Sequence, residues 1–89
     1  MELEWDETKR RSNLQKYGLD FDDVRRLDWD NAIVIEDTRF AYPEQRFWAF
    51  ATRNGRYHVV TFCWRGEKVR VINFRKANDR EVKRYGKKS

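Results

Sequence analysis

Apolar positions change their spacing once along the chain, near residue 32, and the change divides it into a helical front and a stranded back. Leu3-Glu4-Trp5 alternates as a short strand does, and Asp6 follows as an N-cap for a helix running to about Tyr17, where Gly18 supplies the C′ stop. Phe21, Val24 and Leu27 recur at every third position and form one buried stripe, with Asp20 as N-cap of a second helix and Asp23 in a capping-box arrangement. From Ala32 the pattern is that of strands. Ala32–Ile35 is the first, ending in Glu36-Asp37, and Phe47–Thr52 is the second. The stretch between them contains Pro43 and is the longest loop. Asn54-Gly55 is a hairpin turn, because both residues tolerate positive φ, and Tyr57–Trp64 is the return strand. Arg65–Lys68 turns the chain again into a fourth strand, Val69–Phe74. Asn78 with Glu81 caps a short last helix, with Val82 and Tyr85 facing inward and Gly86 ending it.

Strands joined by tight turns must be antiparallel. The expected class is α+β: two N-terminal helices, an antiparallel sheet of about four strands with a possible short N-terminal extra, and a C-terminal helix. Eighty-nine residues allow one domain, read as 1–86, with Lys87-Lys88-Ser89 as a disordered tail. No apolar run approaches a membrane span, and the acidic N-terminus lacks a signal segment, so a cytoplasmic protein is expected.

Charge alters this picture through its distribution. The net +5 hides −3 over residues 1–30, −2 over 31–45 and +10 over 46–89. A strongly basic back half suits a polyanionic partner, although a well-solvated surface has the same composition. Lys9, Asn13 and Lys16 share one helix face and can contact phosphate oxygens; a solvated face reads identically. Arginines mark the strand ends: Arg46, Arg53, Arg65, Arg70 and Arg75. Arg53 and Arg56, flanking the hairpin turn, read as surface charge. By alternation Val69, Val71, Asn73 and Arg75 share one side of the last strand, with Arg70, Ile72 and Phe74 on the other. Guanidinium groups on a rigid sheet bind phosphate bidentately and can offset charge on a phosphorane. The same arginines can instead pair with Glu36, Asp37 or Glu44 to hold a loop.

Other chemistry is poorly provided for. The lone Cys63 and the lone His58 are five residues apart in one strand, hence on opposite faces, which disfavours a metal site or a Cys–His nucleophile pair. No glycine-rich phosphate cradle occurs, and no cofactor is expected. The aromatic residues of the strands exceed what one face of a small core can hide, so some face a groove or an interface.

Together these residues resemble the BrnT family, the toxin half of a bacterial type II toxin–antitoxin pair. The resemblance rests on Trp5-Asp6-Glu7-x-Lys9, Arg11-Ser12-Asn13-Leu14-x-Lys16-x-Gly18 and Phe21. It continues through Glu36-Asp37, Glu44-x-Arg46 and Trp64-Arg65-Gly66-Glu67, and closes with Val69-Arg70-Val71-Ile72-x-x-Arg75-Lys76-Ala77 and Glu81-x-x-x-Tyr85. It implies a fold related to RelE-type toxins, ribonuclease activity that blocks translation, and neutralisation by a dimeric ribbon-helix-helix antitoxin of the BrnA kind. Such a complex is a heterotetramer built on the antitoxin dimer, and it binds its own operator DNA through the antitoxin. Three positions depart from the family pattern: Tyr17 stands where histidine is common, and Asn73-Phe74 replaces Ser-Ala.

The expected activity is therefore a metal-independent endoribonuclease of the mRNA-interferase kind that uses the RNA 2′-hydroxyl as nucleophile. Arg65, Arg75 and Lys76 are the candidates for offsetting phosphate charge, with Glu44 as the catalytic carboxylate. Glu67, Tyr17 and Tyr85 are further candidates for the base. Lys9, Asn13, Lys16, Arg46, Arg70 and Arg80 are the candidates for holding the RNA. The competing class is a catalytically weak or inert module that grips nucleic acid or serves a repressor as partner.

Overall fold

The computed structural model describes residues 1–86; the tail expected at 87–89 lies outside them. Five strands, β1 (Leu3–Trp5), β2 (Ile33–Asp37), β3 (Arg46–Arg53), β4 (Arg56–Arg65) and β5 (Lys68–Lys76), form one sheet in the order β1-β5-β4-β3-β2. The meander β2–β5 is antiparallel, as its turns demand. The N-terminal strand is real and pairs parallel to β5, Leu3 opposite Val69 and Trp5 opposite Val71, so the sheet is mixed rather than antiparallel throughout. Two α-helices flank it: α1 (Glu7–Tyr17) and α2 (Asp79–Tyr85).

The caps form where the sequence puts them. Asp6 accepts from the Thr8 and Lys9 N–H groups, and Gly18 closes α1 at φ 71°. Asn54 and Gly55 both take positive φ in the β3–β4 turn. Asn78 and Glu81 make a reciprocal capping box on α2.

The second N-terminal helix is not an α-helix. Phe21–Arg26 is a 3₁₀ segment and a further 3₁₀ turn spans Trp29–Asn31. The reason lies in the spacing of three: at 3.0 residues per turn Phe21, Val24 and Leu27 eclipse along one line, whereas an α-helix would fan them apart. All three are buried, together with Ala49, Ala51, Val60, Phe62, Val69, Val71 and Phe74 from the sheet. Trp29 seals this layer, its indole donating to the Val24 carbonyl at 2.9 Å and its ring standing edge-on to Phe62.

A β-bulge in β5 changes which residues share a face. Thr61 faces Asn73 but Phe62 faces Val71, leaving Ile72 as the extra residue. The simple alternation expected from the sequence is therefore broken. Phe74 joins Val69 and Val71 in the core, while Asn73 and Arg75 move to the side of Arg70.

Helix α1 runs along the outer edge of β5, beyond the point where β1 stops. Asn13, only 5% exposed, takes the place of the missing strand. Its Oδ1 accepts from the Phe74 N–H at 3.0 Å, while its Nδ2 donates to the Phe74 carbonyl at 2.8 Å and to the Leu19 carbonyl at 3.0 Å. Arg10 adds a bidentate pair to Asp20 at 2.9 and 2.8 Å, tying α1 to the first 3₁₀ segment. Asn13→Ala orphans these backbone groups and should cost about 3 kcal/mol of stability, read as a lowered urea midpoint with little change in slope.

His58 is buried at 4% exposure against Phe74, its Nδ1 donating to the Arg56 carbonyl at 2.8 Å. Burial, reinforced by Arg53, Lys76 and Arg56, holds its pKa below the usual 6.5. The unfolded chain then binds a proton that the folded one resists. Stability should fall as pH drops through 6.5, by up to about 1.4 kcal/mol per pH unit, and level off below the folded pKa. Thermal melts between pH 7.5 and 5 check this; His58→Gln should flatten the dependence.

Candidate functional site

The face of the sheet opposite the core carries the exposed chemistry in three rows. Asp37, Arg46, Cys63, Arg70 and Glu4 lie side by side across all five strands. Ile35, Trp48, Thr61 and Asn73 form the next row, and Ile33, Phe50, Val59 and Arg75 the third. Helix α2 packs over part of this face, with Tyr85 edge-on to Trp48 at 5.0 Å and 5.7 Å from Phe50.

Between α2 and the sheet is a cleft of about 240 Å³ lined by Arg39, Trp48, Val59, Thr61, Arg75, Arg80, Glu81, Arg84 and Tyr85. Arg75 lies at its base and is held there. Its guanidinium donates to the Glu81 carboxylate through Nη1 at 2.8 Å and Nη2 at 2.9 Å. Glu81 also accepts from the Asn78 N–H at 2.9 Å, so the carboxylate that caps α2 fixes the arginine as well. The pair holds the Glu81 carboxyl below the usual carboxylate range and strengthens the charge on Arg75. Among the described residues Arg39 and Arg75 each pair with a carboxylate while Arg80 and Arg84 do not, which leaves the cleft a net positive donor set that attracts phosphate.

The candidates named from the sequence are dispersed across the fold. Arg75 and Arg80 share the cleft. Lys9, Asn13 and Lys16 line an adjoining groove with Ser12, Tyr17, Ile72 and Asn73. Asn13 spends its amide on the backbone there, and the Lys16 ammonium sits 5.2 Å from the Tyr17 ring centre. Groove and cleft meet across β5, close enough for Arg75 to sense Tyr17 and Arg39 electrostatically. Arg46 and Arg70 lie on the same face two rows away. Arg46 is paired with Glu44 at 3.4 Å and stacked over Tyr42, while Arg70 is paired with Glu4 at 3.4 Å. Glu44 lines the 38–45 loop rather than the cleft. Arg65 and Glu67 are exposed at the β4–β5 turn. Lys76 faces His58 on the other side of the sheet from Arg75, since neighbours in a strand point opposite ways.

Of the strand-end arginines Arg46 makes the loop-holding pair, with Glu44, whereas the partner of Asp37 is Arg39. It donates to a buried Asp37 through Nε and Nη2, both at 2.9 Å, and Tyr42 adds its hydroxyl at 3.0 Å. These donors drive the Asp37 pKa far down. Among the described residues no three His, Cys, Asp or Glu side chains cluster as metal ligands.

The family model for ribonuclease toxin BrnT of type II toxin–antitoxin systems matches residues 5–81. The chain belongs to the BrnT toxin family. A BrnT protein is a ribonuclease toxin, so an RNA substrate and an antitoxin partner come with membership. No curated protein matches this chain. No helix among the described residues is long and apolar enough to cross a membrane.

In this BrnT member the cleft also draws in Arg39, Thr61 and Glu81, which the sequence does not mark for its chemistry. The i, i+4 spacings Arg80–Arg84 and Glu81–Tyr85 in α2 were the available signal. Arg39 reaches the cleft from a loop, which no periodicity marks. Because Glu81 serves both the cap and Arg75, Glu81→Ala should destabilise the toxin by about 1–2 kcal/mol and Arg75→Ala by about 1 kcal/mol or less. Urea titrations compare the two directly.

Proposed function

We propose that this BrnT chain, acting as a single domain over residues 1–86 in the cytoplasm, cleaves RNA without a metal ion and thereby blocks translation. The reading rests on Arg75, fixed at the base of a cleft between a sheet and a helix that also carries Arg80, Arg84 and two aromatic rings. In the reaction the 2′-oxygen attacks the adjacent phosphorus, the bond to the 5′-oxygen breaks, and a 2′,3′-cyclic phosphate and a 5′-hydroxyl result. Negative charge builds on the phosphorane oxygens, where Arg75 with Arg39 and Arg84 offsets it. Bases stack on Trp48 and Tyr85. Lys9 and Lys16 guide the strand along the neighbouring groove, and Arg46 and Arg70 extend the basic face.

Glu81 takes the 2′-proton in this scheme. A phosphodiester on Arg75 competes for the guanidinium, frees the carboxylate and returns its basicity toward the ordinary range. Tyr85 is the hydroxyl best placed in the cleft to protonate the leaving oxygen. The partner is an antitoxin of the ribbon-helix-helix kind whose dimer carries two toxin copies, covers the basic face and binds operator DNA.

Purified protein incubated with single-stranded RNA in EDTA should yield cyclic-phosphate ends. Arg75→Ala should slow cleavage about 10²–10³-fold, and Glu81→Gln should remove the acidic limb of the pH–rate profile. RNA that stays intact at high protein concentration would establish the inert binding module instead.

A further inference from the structure

Beyond Tyr85 the cleft is continued by a second cavity of about 300 Å³, lined by Asp28, Asn31, Ile33, Phe50, Ala51, Thr52, Tyr57 and Tyr85. Tyr85 is the wall common to both. Phe50 and Tyr57 lie stacked at 4.4 Å and 13°, and Tyr85 is tilted against Phe50. Phe50 is itself only 1% exposed, so the ring surface offered to a nucleobase is that of Tyr57 and Tyr85 packed against it. The rim is of opposite character to the arginine cleft. Among the described residues its one charged lining residue is Asp28, exposed at the junction of the two 3₁₀ segments, where its backbone N–H donates to the Thr52 carbonyl at 2.8 Å. Asn31 donates its Nδ2 to Asp28 Oδ2 at 2.8 Å, which leaves Asp28 Oδ1 and Asn31 Oδ1 as acceptors.

We infer that this cavity is a base subsite for the nucleotide whose 2′-hydroxyl attacks, and that it selects guanine. The inference rests on the ribonuclease reading of the neighbouring cleft. Phe50 and Arg75 occupy the same row two strands apart, about 10 Å, which is the span of a nucleotide from its phosphate to the far edge of its base. A phosphate on Arg75 therefore directs the base past Tyr85 into the ring-walled cavity. There the free polar atoms accept hydrogen bonds. Guanine offers adjacent N1–H and N2–H donors, which a carboxylate takes as a pair; uracil offers one N–H between two carbonyls that Asp28 repels. The arginine cleft contacts the phosphate and would hold any nucleotide equally; Asp28 supplies the discrimination.

Guanosine 3′-monophosphate and uridine 3′-monophosphate titrated by calorimetry test this without any turnover. The guanine nucleotide should bind at least tenfold tighter, with nuclear Overhauser contacts from its base and ribose protons to the Phe50, Tyr57 and Tyr85 rings. Asp28→Asn, checked for folding by its melting temperature, should bring the two affinities within threefold. The cleavage map of a mixed-sequence RNA should place cuts after G in the wild type. Equal affinities in the wild type, or a preference unchanged in Asp28→Asn, overturns the subsite. Cutting without base preference overturns the subsite and leaves the nuclease reading standing. Uncut RNA with an Asp28-dependent guanine preference overturns the nuclease reading alone.

Discussion

One side-chain amide joins helix α1 to the edge of the sheet. Strand β1 covers only the first part of β5, and the edge beyond it would present a buried, unpaired peptide group at Phe74. Asn13 meets that group as a neighbouring strand would, with one donor and one acceptor, from the middle of a helix. No aliphatic side chain could do this, and aspartate would turn a second oxygen onto the Phe74 and Leu19 carbonyls. With α1 fixed on β5, Lys16 and Tyr17 are carried to the flank of Arg75, and the Arg10–Asp20 pair sets the 3₁₀ layer over the core. The candidate site is assembled around this joint.

The bulge at Ile72 completes what the joint begins. One extra residue turns Phe74 into the core and Arg75 onto the opposite face, so a single strand serves hydrophobic packing and phosphate chemistry without conflict. The acidic front half of the chain then has a definite use. Its carboxylates bind arginines that would otherwise repel one another: Glu4 holds Arg70, Asp23 holds Arg53, Asp37 holds Arg39 and Glu44 holds Arg46. Arg80 and Arg84 have no ion-pair partner among the described residues, which concentrates positive field beside the cleft. The separation of charge along the sequence becomes, in the fold, a set of clamps and an uncompensated basic mouth beside α2.

Local signals carried most of the architecture. The caps at Asp6, Gly18 and Asn78, the Asn54-Gly55 turn and the strand positions follow from neighbouring residues, and they are where the sequence places them. Failures began where geometry depends on distant residues. The spacing of three at Phe21, Val24 and Leu27 was legible, but its preference for a 3₁₀ turn over an α-helix shows only against the sheet it covers. A bulge has no signature in the alternation it interrupts, so the faces of Asn73, Phe74 and Arg75 were misassigned. The site suffered most from this. Arg75 and Arg80 share the cleft, whereas Lys76 and Arg65 lie apart from it, because sequence proximity and residue type say nothing about which face a strand residue occupies. Asn13 was picked out for phosphate contact because its helix face carries two lysines, and the structure instead commits its amide to the backbone. Arg39, Trp48 and Glu81 converge only through tertiary packing.

Ribonuclease action by the proposed route requires RNA to lie on the sheet face beneath α2. The most direct measurement is a titration of isotopically labelled protein with a short RNA whose 2′-hydroxyls are replaced by hydrogen, followed through backbone amide shifts. The perturbed amides should cluster in β3–β5 around Trp48, Thr61 and Arg75 and in α2 from Arg80 to Tyr85, saturating together. Shifts confined to the 3₁₀ layer or to the Met1–Trp5 edge, with α2 and Arg75 unmoved, would contradict it.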